Sequence, residues 1–307
     1  MSTGQKGYGK FQELCRNTGN LRSTLPICNL FNESPSRQGG GFGDGCNLTG
    51  IPLKGGSEHL ANLGSILIAF FAILVAAVLI FRSERKRAAV GRREMQIFLL
   101  GYIVISICEI FTVGWFPLGG AIRRGFTAVH IATIIATLWI LMMNGAVGFQ
   151  LIDDGTPLSL GLIFGSAVLL FVGTGYIALD TGFSFTNYWK DTLDAPNRAY
   201  ALYTLYQLVP LVFLVVFFIL ETVLVLRVLG ETRPMIYLVG AALLFAIGQI
   251  FQYVISRFIC NGTNGAINGG IFETFFTLCA VITIWVFWSS ITEDDWPMPP
   301  PGGSTYT

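Results

Sequence analysis

The chain has 307 residues, 53% of them hydrophobic and 12% charged, with 25 phenylalanines and a mean hydropathy of +0.63. A water-soluble domain carries about 25% charged residues, so this composition requires a bilayer as its solvent. The 19 Lys and Arg against 18 Asp and Glu leave a formal charge of +1, which excludes a whole-chain basic footprint on nucleic acid, and two histidines, His59 and His130, are too few for a multi-histidine metal centre.

Residues 1–61 form an arm ahead of the first apolar window. It holds Cys15, Cys28 and Cys46, and a stretch Gly39-Gly40-Gly41-Phe42-Gly43 with too little apolar mass to pack. Glycosylation sequons stand at Asn47-Leu48-Thr49 and at Asn32-Glu33-Ser34, the second weakened by Pro35. No apolar run in the arm is long enough for a signal peptide, so the first span is expected to serve as the translocation signal.

Seven windows of the ~20 largely apolar residues that a spanning helix needs then follow. They are Asn62–Phe81, Met95–Gly114, Gly125–Phe149, Leu158–Leu179, Ala199–Leu226, Met235–Ser256 and Ile271–Ser289. The expected fold is an all-α membrane protein: a lumenal Cys-containing arm (1–61), a seven-transmembrane-helix bundle (62–289) and an acidic, Pro-rich cytosolic tail (290–307).

The loop after the first window holds Arg82, Arg85, Lys86, Arg87, Arg92 and Arg93, and basic residues in short loops mark the cytoplasmic side. Seven spans then put the N-terminus in the lumen and the C-terminus in the cytosol. Later loops discriminate weakly, with Arg123, Arg124, Lys190, Arg198 and Arg257 on the lumenal side and Arg227 and Arg233 opposite. The same orientation makes the sequons at Asn47 and Asn261-Gly262-Thr263 lumenal. It also places Cys15, Cys28, Cys46 and Cys260 in an oxidising compartment, where two disulfides have three alternative pairings. Neither a prenylation box nor a retention tetrapeptide closes the chain.

Between the third and fourth windows, Asp153-Asp154-Gly155-Thr156-Pro157 has turn chemistry, with Thr156 as helix N-cap and Pro157 at the first helical position. Gly161 and Gly165 then make a small-residue face that admits a close helix neighbour. Ionisable groups inside the windows are Glu109, His130, Glu221 and Glu273. Such groups are costly in hydrocarbon and are functional candidates by default. Gln249, Gln252 and Ser256 share one face of the sixth window, so Glu109, His130, Gln249, Gln252 and Glu273 are expected to form a polar cluster in the lumenal half. One reading makes it a ligand, proton or ion site; the other, favoured by the lack of any catalytic or metal-ligand spacing, makes it interhelical hydrogen-bond glue. Glu221 reads as a snorkelling side chain or a partner of Arg227.

Enzyme signatures are missing from the sequence. It has no paired-histidine helix motif, no phosphate loop and no G-x-S-x-G elbow, so no catalytic, metal or cofactor site is expected. A seven-span receptor or transporter using the lumenal polar cluster is the alternative. Against it, the seventh window lacks a Lys for a retinal Schiff base and hydropathy shows no clear inverted repeat.

Three stretches carry a resemblance. Ala88-Ala89-Val90-Gly91-Arg92-Arg93-Glu94 is similar to A-V-G-R-K/R-E. Met143-Asn144-Gly145-Ala146-Val147-Gly148-Phe149-Gln150, running on through Asp153-Asp154-Gly155-Thr156-Pro157-Leu158-Ser159-Leu160, is similar to N-G-x-V-G-F-Q-L-x-E/D-D-G-T-P-L-S-L. Trp288-Ser289-Ser290-Ile291-Thr292-Glu293-Asp294-Asp295-Trp296 is similar to S-I-T-x-E/D-D, and Leu25-Pro26-Ile27-Cys28 to L-P-L-C. These are motifs of the fungal chitin synthase export chaperone family, which the chain resembles along nearly its whole length. Its extended Gly-rich arm departs from the pattern. The resemblance implies residence in the endoplasmic reticulum membrane and a membrane-protein client, a chitin synthase, delivered for cell-wall chitin synthesis. Candidate client contacts are then Arg92, Arg93, Glu94, Asn144, Gln150, Asp153, Asp154, Thr156 and Pro157. Glu293-Asp294-Asp295 reads either as a di-acidic signal for a vesicle coat or as a solvated tail.

Overall fold

The computed structural model describes residues 8–9, 11, 14–15, 25–31, 48–52, 59–86, 89–114, 116–150, 155–189 and 199–292. Cys46, Asn47, Asp153, Asp154, Glu293, Asp294 and Asp295 lie outside the described residues. Seven helices are long and apolar enough to cross a membrane: α1 Leu63–Arg85, α2 Arg92–Thr112, α3 Gly120–Val147, α4 Pro157–Phe183, α5 Tyr200–Leu229, α6 Pro234–Gly262 and α7 Gly269–Ile291.

Their ends have local causes. Asn62 accepts from the Ser65 N–H to cap α1, Thr156 accepts from Ser159 N–H with Pro157 opening α4, and Asn268 accepts from Gly270 N–H at the start of α7. The helices also overrun the apolar windows. α3 starts five residues before Gly125, because Arg124 donates to the Gly182 carbonyl (2.9 Å) and Arg123 to those of Phe116 and Leu118 (3.4 and 3.3 Å). α6 continues through Arg257, whose guanidinium lies over the Phe258 ring, and through Cys260 and Asn261.

Helix α3 packs against α2, α4 and α5, while α7 packs against α6 and α1, and α1 against α2. The contacts run in the order α6, α7, α1, α2, α3, α5, and α5 and α6 scarcely touch. The bundle is therefore a ring with one open seam. Outside the ring, α4 leans on α3 and meets the first turn of α5, Tyr200–Tyr203. Close approach of α2 to α3 depends on Gly101, where a Cβ would strike the Thr137 side chain. Three π-helical turns interrupt the long helices, at Thr204–Leu208 and Leu224–Leu229 in α5 and at Phe251–Ile255 in α6.

Of the three cysteine pairings open to the sequence, the one formed includes Cys15–Cys28, thirteen residues apart (sequence separation 13). Cys260 is also disulfide-bonded, and Cys108 and Cys279 are free thiols. A short 3-10 helix, Pro26–Leu30, contains Cys28 of that bridge and buries Ile27 and Leu30 against Ala128 and Ile131 of α3, Ala178 of α4 and Leu202 of α5. Strands β1 (Ile51–Pro52) and β2 (His59–Leu60) pair antiparallel, Ile51 opposite Leu60, and lead into α1.

Candidate functional site

Two polar constellations occupy opposite ends of the ring. At the end that carries the basic loop, the stretches bearing the family resemblance meet although they are distant in sequence. Gly91, with φ +69°, precedes α2, and a Cβ there would stand 3.0 Å from Asn144 Oδ1 on α3. Glu94, fully buried one turn into α2, accepts from the Gly155 N–H at 3.4 Å, so the first stretch binds the turn before α4. From α7, Trp288 Nε1 donates to the Val90 carbonyl (2.9 Å) and Trp285 Nε1 to Ser83 Oγ (2.8 Å), while Lys86 Nζ donates to the Ser289 carbonyl (3.2 Å). Glu94 Oε2 and Asn144 Nδ2 have no hydrogen-bond partner among the described residues. A buried polar atom without a partner costs stability.

Other candidates at this end have simpler surroundings. Arg92 and Arg93 pair with Glu84 across the turn between α1 and α2, at 3.8 and 3.3 Å, and Gln96 joins them. Gln150 is exposed, with φ +51°, where α3 ends. Thr156 and Pro157 begin α4.

At the arm end, Glu109, His130, Gln249, Gln252 and Glu273 all line one cavity of about 470 Å³. Thr274 Oγ1 donates to Glu109, and the Thr112 hydroxyl bonds both the Cys108 carbonyl (3.0 Å) and His130 Nδ1 (3.1 Å). Thr277 Oγ1 donates to Glu273 at 3.0 Å, and the Gln249 side chain hydrogen-bonds the same carboxyl. Among the described residues that line it, all are uncharged or acidic apart from His130, and none is Lys or Arg. Above it, Gln207 Nε2 of α5 donates to the Tyr253 hydroxyl of α6 (3.1 Å), which is also hydrogen-bonded to Tyr206. This clasp joins the two helices that border the open seam, and both of its halves sit on π-turns. Such turns recur at functional sites because the extra residue re-aims side chains.

Two sequence expectations need correction. Glu221 does not snorkel: it lies 5% exposed, on the α5 face shared with Phe217 and Leu224, against Gly145 of α3, and its Oε2 has no partner among the described residues. Helix α5 runs on to Leu229, roughly 12 Å beyond it, farther than a glutamate reaches. Gly161 and Gly165 receive no helix, since nothing lies within 4 Å of a Cβ at either. The clasp tyrosines and Thr274 escaped sequence reasoning because Tyr and Thr are common in apolar windows. Only the polar neighbour Gln207 hinted at them.

The fold defines a multi-pass α-helical membrane protein. Among its described residues no group of three or more His, Cys, Asp or Glu can hold a metal ion. The profile of the family described as chitin synthase export chaperone matches residues 7–301, and the chain belongs to that family. It is 30% identical over 291 residues to the Chitin synthase export chaperone of Chaetomium globosum, covering 94% of this chain and 84% of that protein. The protein of the same name from Coccidioides immitis is 28% identical over 289 residues, 94% and 83% of the two chains. That from Cryptococcus neoformans var. neoformans is 26% identical over 291 residues, 94% and 75%. No solved structure matches significantly.

Proposed function

We propose that this protein resides in the endoplasmic reticulum membrane, N-terminus lumenal, and binds a chitin synthase there, favouring its folded, export-competent form. The observation that carries the reading is the convergence of the family-matching stretches: Val90 with Trp288, Glu94 with Gly155 and Gly91 with Asn144 form one buried junction. A chaperone of this kind needs no ATP site, because it shifts its client's population by its differential affinity for one form.

The client-facing surface in this reading is the outer face of α4. Gly161 and Gly165 leave open space there between exposed Leu158, Leu162 and Leu169. Small residues let a client helix approach closely in a membrane, where no hydrophobic driving force separates helices from lipid. Asp153, Asp154 and the Glu293–Asp295 tail are the proposed cytosolic contacts, the tail for a vesicle coat.

Deletion of the gene should strand a fluorescently tagged chitin synthase in the endoplasmic reticulum and lower cell-wall chitin. Normal delivery of every synthase isoform would overturn the proposal. Gly161→Leu with Gly165→Leu should lower co-purification of the synthase without lowering the protein's own melting temperature.

A further inference from the structure

The arm-end cavity is open to the side. Leu211, Val215 and Ile219 make one stripe of α5, and each of them lines the cavity while being 58%, 49% and 54% exposed. The cavity therefore reaches the lipid-facing surface along the seam, where Ala242 of α6, itself exposed, forms the facing lip. Below the Gln207–Tyr253 clasp few contacts join α5 to α6 among the described residues. The mouth is apolar and the inner end carries the Glu109 and Glu273 carboxyls.

Size and lining narrow the occupant. A space of about 470 Å³ falls within the ~300–1,000 Å³ typical of small-molecule sites, and its inner end is closed off by the polar side chains of Glu109, His130 and Glu273, which suits a small occupant with one polar end. An occupant entering through this seam comes from the bilayer, so it is a slender amphiphile. Its head must suit two carboxyl groups with no Lys or Arg among the described lining residues. An anionic head would find no cationic side chain among the described lining residues, whereas an ammonium supplies three donors to the carboxyl oxygens and a charge that favours their ionised form. The Tyr206 and Tyr253 rings at the same end favour a cation as well.

We propose that the α5–α6 seam binds one single-chain amphiphile with a cationic head, its chain against Leu211, Val215 and Ile219 and its head at Glu109 and Glu273. The inference is independent of the client.

The test uses the full-length protein in phosphatidylcholine vesicles and two photoactivatable probes of equal chain length, a diazirine-bearing sphingosine and a diazirine-bearing fatty acid. Labelled peptides are mapped by mass spectrometry. Sphingosine should label the lining of α5 and α6 at least about tenfold more than the fatty acid does. Glu109→Gln with Glu273→Gln should cut that labelling by about tenfold, and the exposed Glu84→Gln should leave it unchanged. Because the double variant removes buried polar partners, Ala242→Trp, which plugs the lip and spares both acids, provides a second reading and should also suppress labelling. Equal labelling by the two probes, labelling confined to outer faces such as Leu162 and Leu169 of α4, or full labelling of the Ala242→Trp protein would overturn the proposal.

Discussion

If the Gln207–Tyr253–Tyr206 clasp holds the seam, Tyr253→Phe should open it. The substitution keeps the ring and removes the hydroxyl that takes the Gln207 donor and bonds Tyr206. Interhelical hydrogen bonds within membranes average ~0.6 kcal/mol, so two of them amount to about 1.2 kcal/mol, a roughly eightfold rise in the population with α5 and α6 apart. Few other contacts between these helices offset the loss. Spin labels at Val212 and Leu243, both exposed on outer faces of α5 and α6, report the separation by pulsed electron resonance. The expected result is a new long-distance component in Tyr253→Phe that is missing from the control Tyr237→Phe, a tyrosine exposed on the outside of α6. An unchanged distance distribution, or the same change in the control, would show that the seam is held by something other than the clasp.

Three further outcomes follow from the packing. Glu94→Ala leaves the Gly155 N–H without its acceptor and should lower stability by about 1–3 kcal/mol, with Glu94→Gln losing less; thermal unfolding in detergent measures both, and equal melting of all three proteins would refute the role given to Glu94. Cys15→Ser releases a loop closed over a separation of 13 residues, worth about 3 kcal/mol of chain entropy, and should speed proteolysis of the arm, whereas unchanged cleavage would mean that burial of Ile27 and Leu30 suffices. With a lumenal arm, a glycan on exposed Asn261 should disappear in Asn261→Gln, seen as a loss of endoglycosidase-sensitive mobility shift; a C-terminal tag protected from cytosolic protease would reverse the orientation.

The seven spans were legible because each buries or exposes about twenty apolar residues in sequence, and the ends fixed by Thr156 and Pro157 were written in local chemistry. The ends at Arg123, Arg124 and Arg257 were not, since a hydropathy window stops at a charge and cannot know that a carbonyl or a ring receives it. The polar residues of the cavity could be named from their cost in hydrocarbon. The cavity itself could not, because it depends on a gap between α5 and α6, and gaps leave no mark on composition. Glu221 shows the same limit: its distance from the end of α5 was readable only once that helix was known to run on to Leu229. The resemblance identified stretches far apart in the chain, and only the fold revealed that Gly91, Asn144, Gly155 and Trp288 are neighbours.

The π-turn at Phe251–Ile255 sets how this gene tolerates changes in length. It holds one residue more than an α-turn, so removing one of the five lets the segment close as an ordinary α-turn with the rest of α6 in place, whereas a deletion in the α-helical stretch before it would turn the rest of α6 by about 100°. Ser256 would swing away from the Gly269 N–H that it now meets at 3.0 Å, and Cys260 would leave the position from which it forms its disulfide. A helix bonded at its far end cannot absorb such a rotation by sliding. Single-residue deletions drawn at random across the α-helical part of α6 should therefore be purged, while α4, whose Gly161, Gly165 and Gly173 meet no neighbour among the described residues, should accept substitutions on that face freely except where a partner reads it.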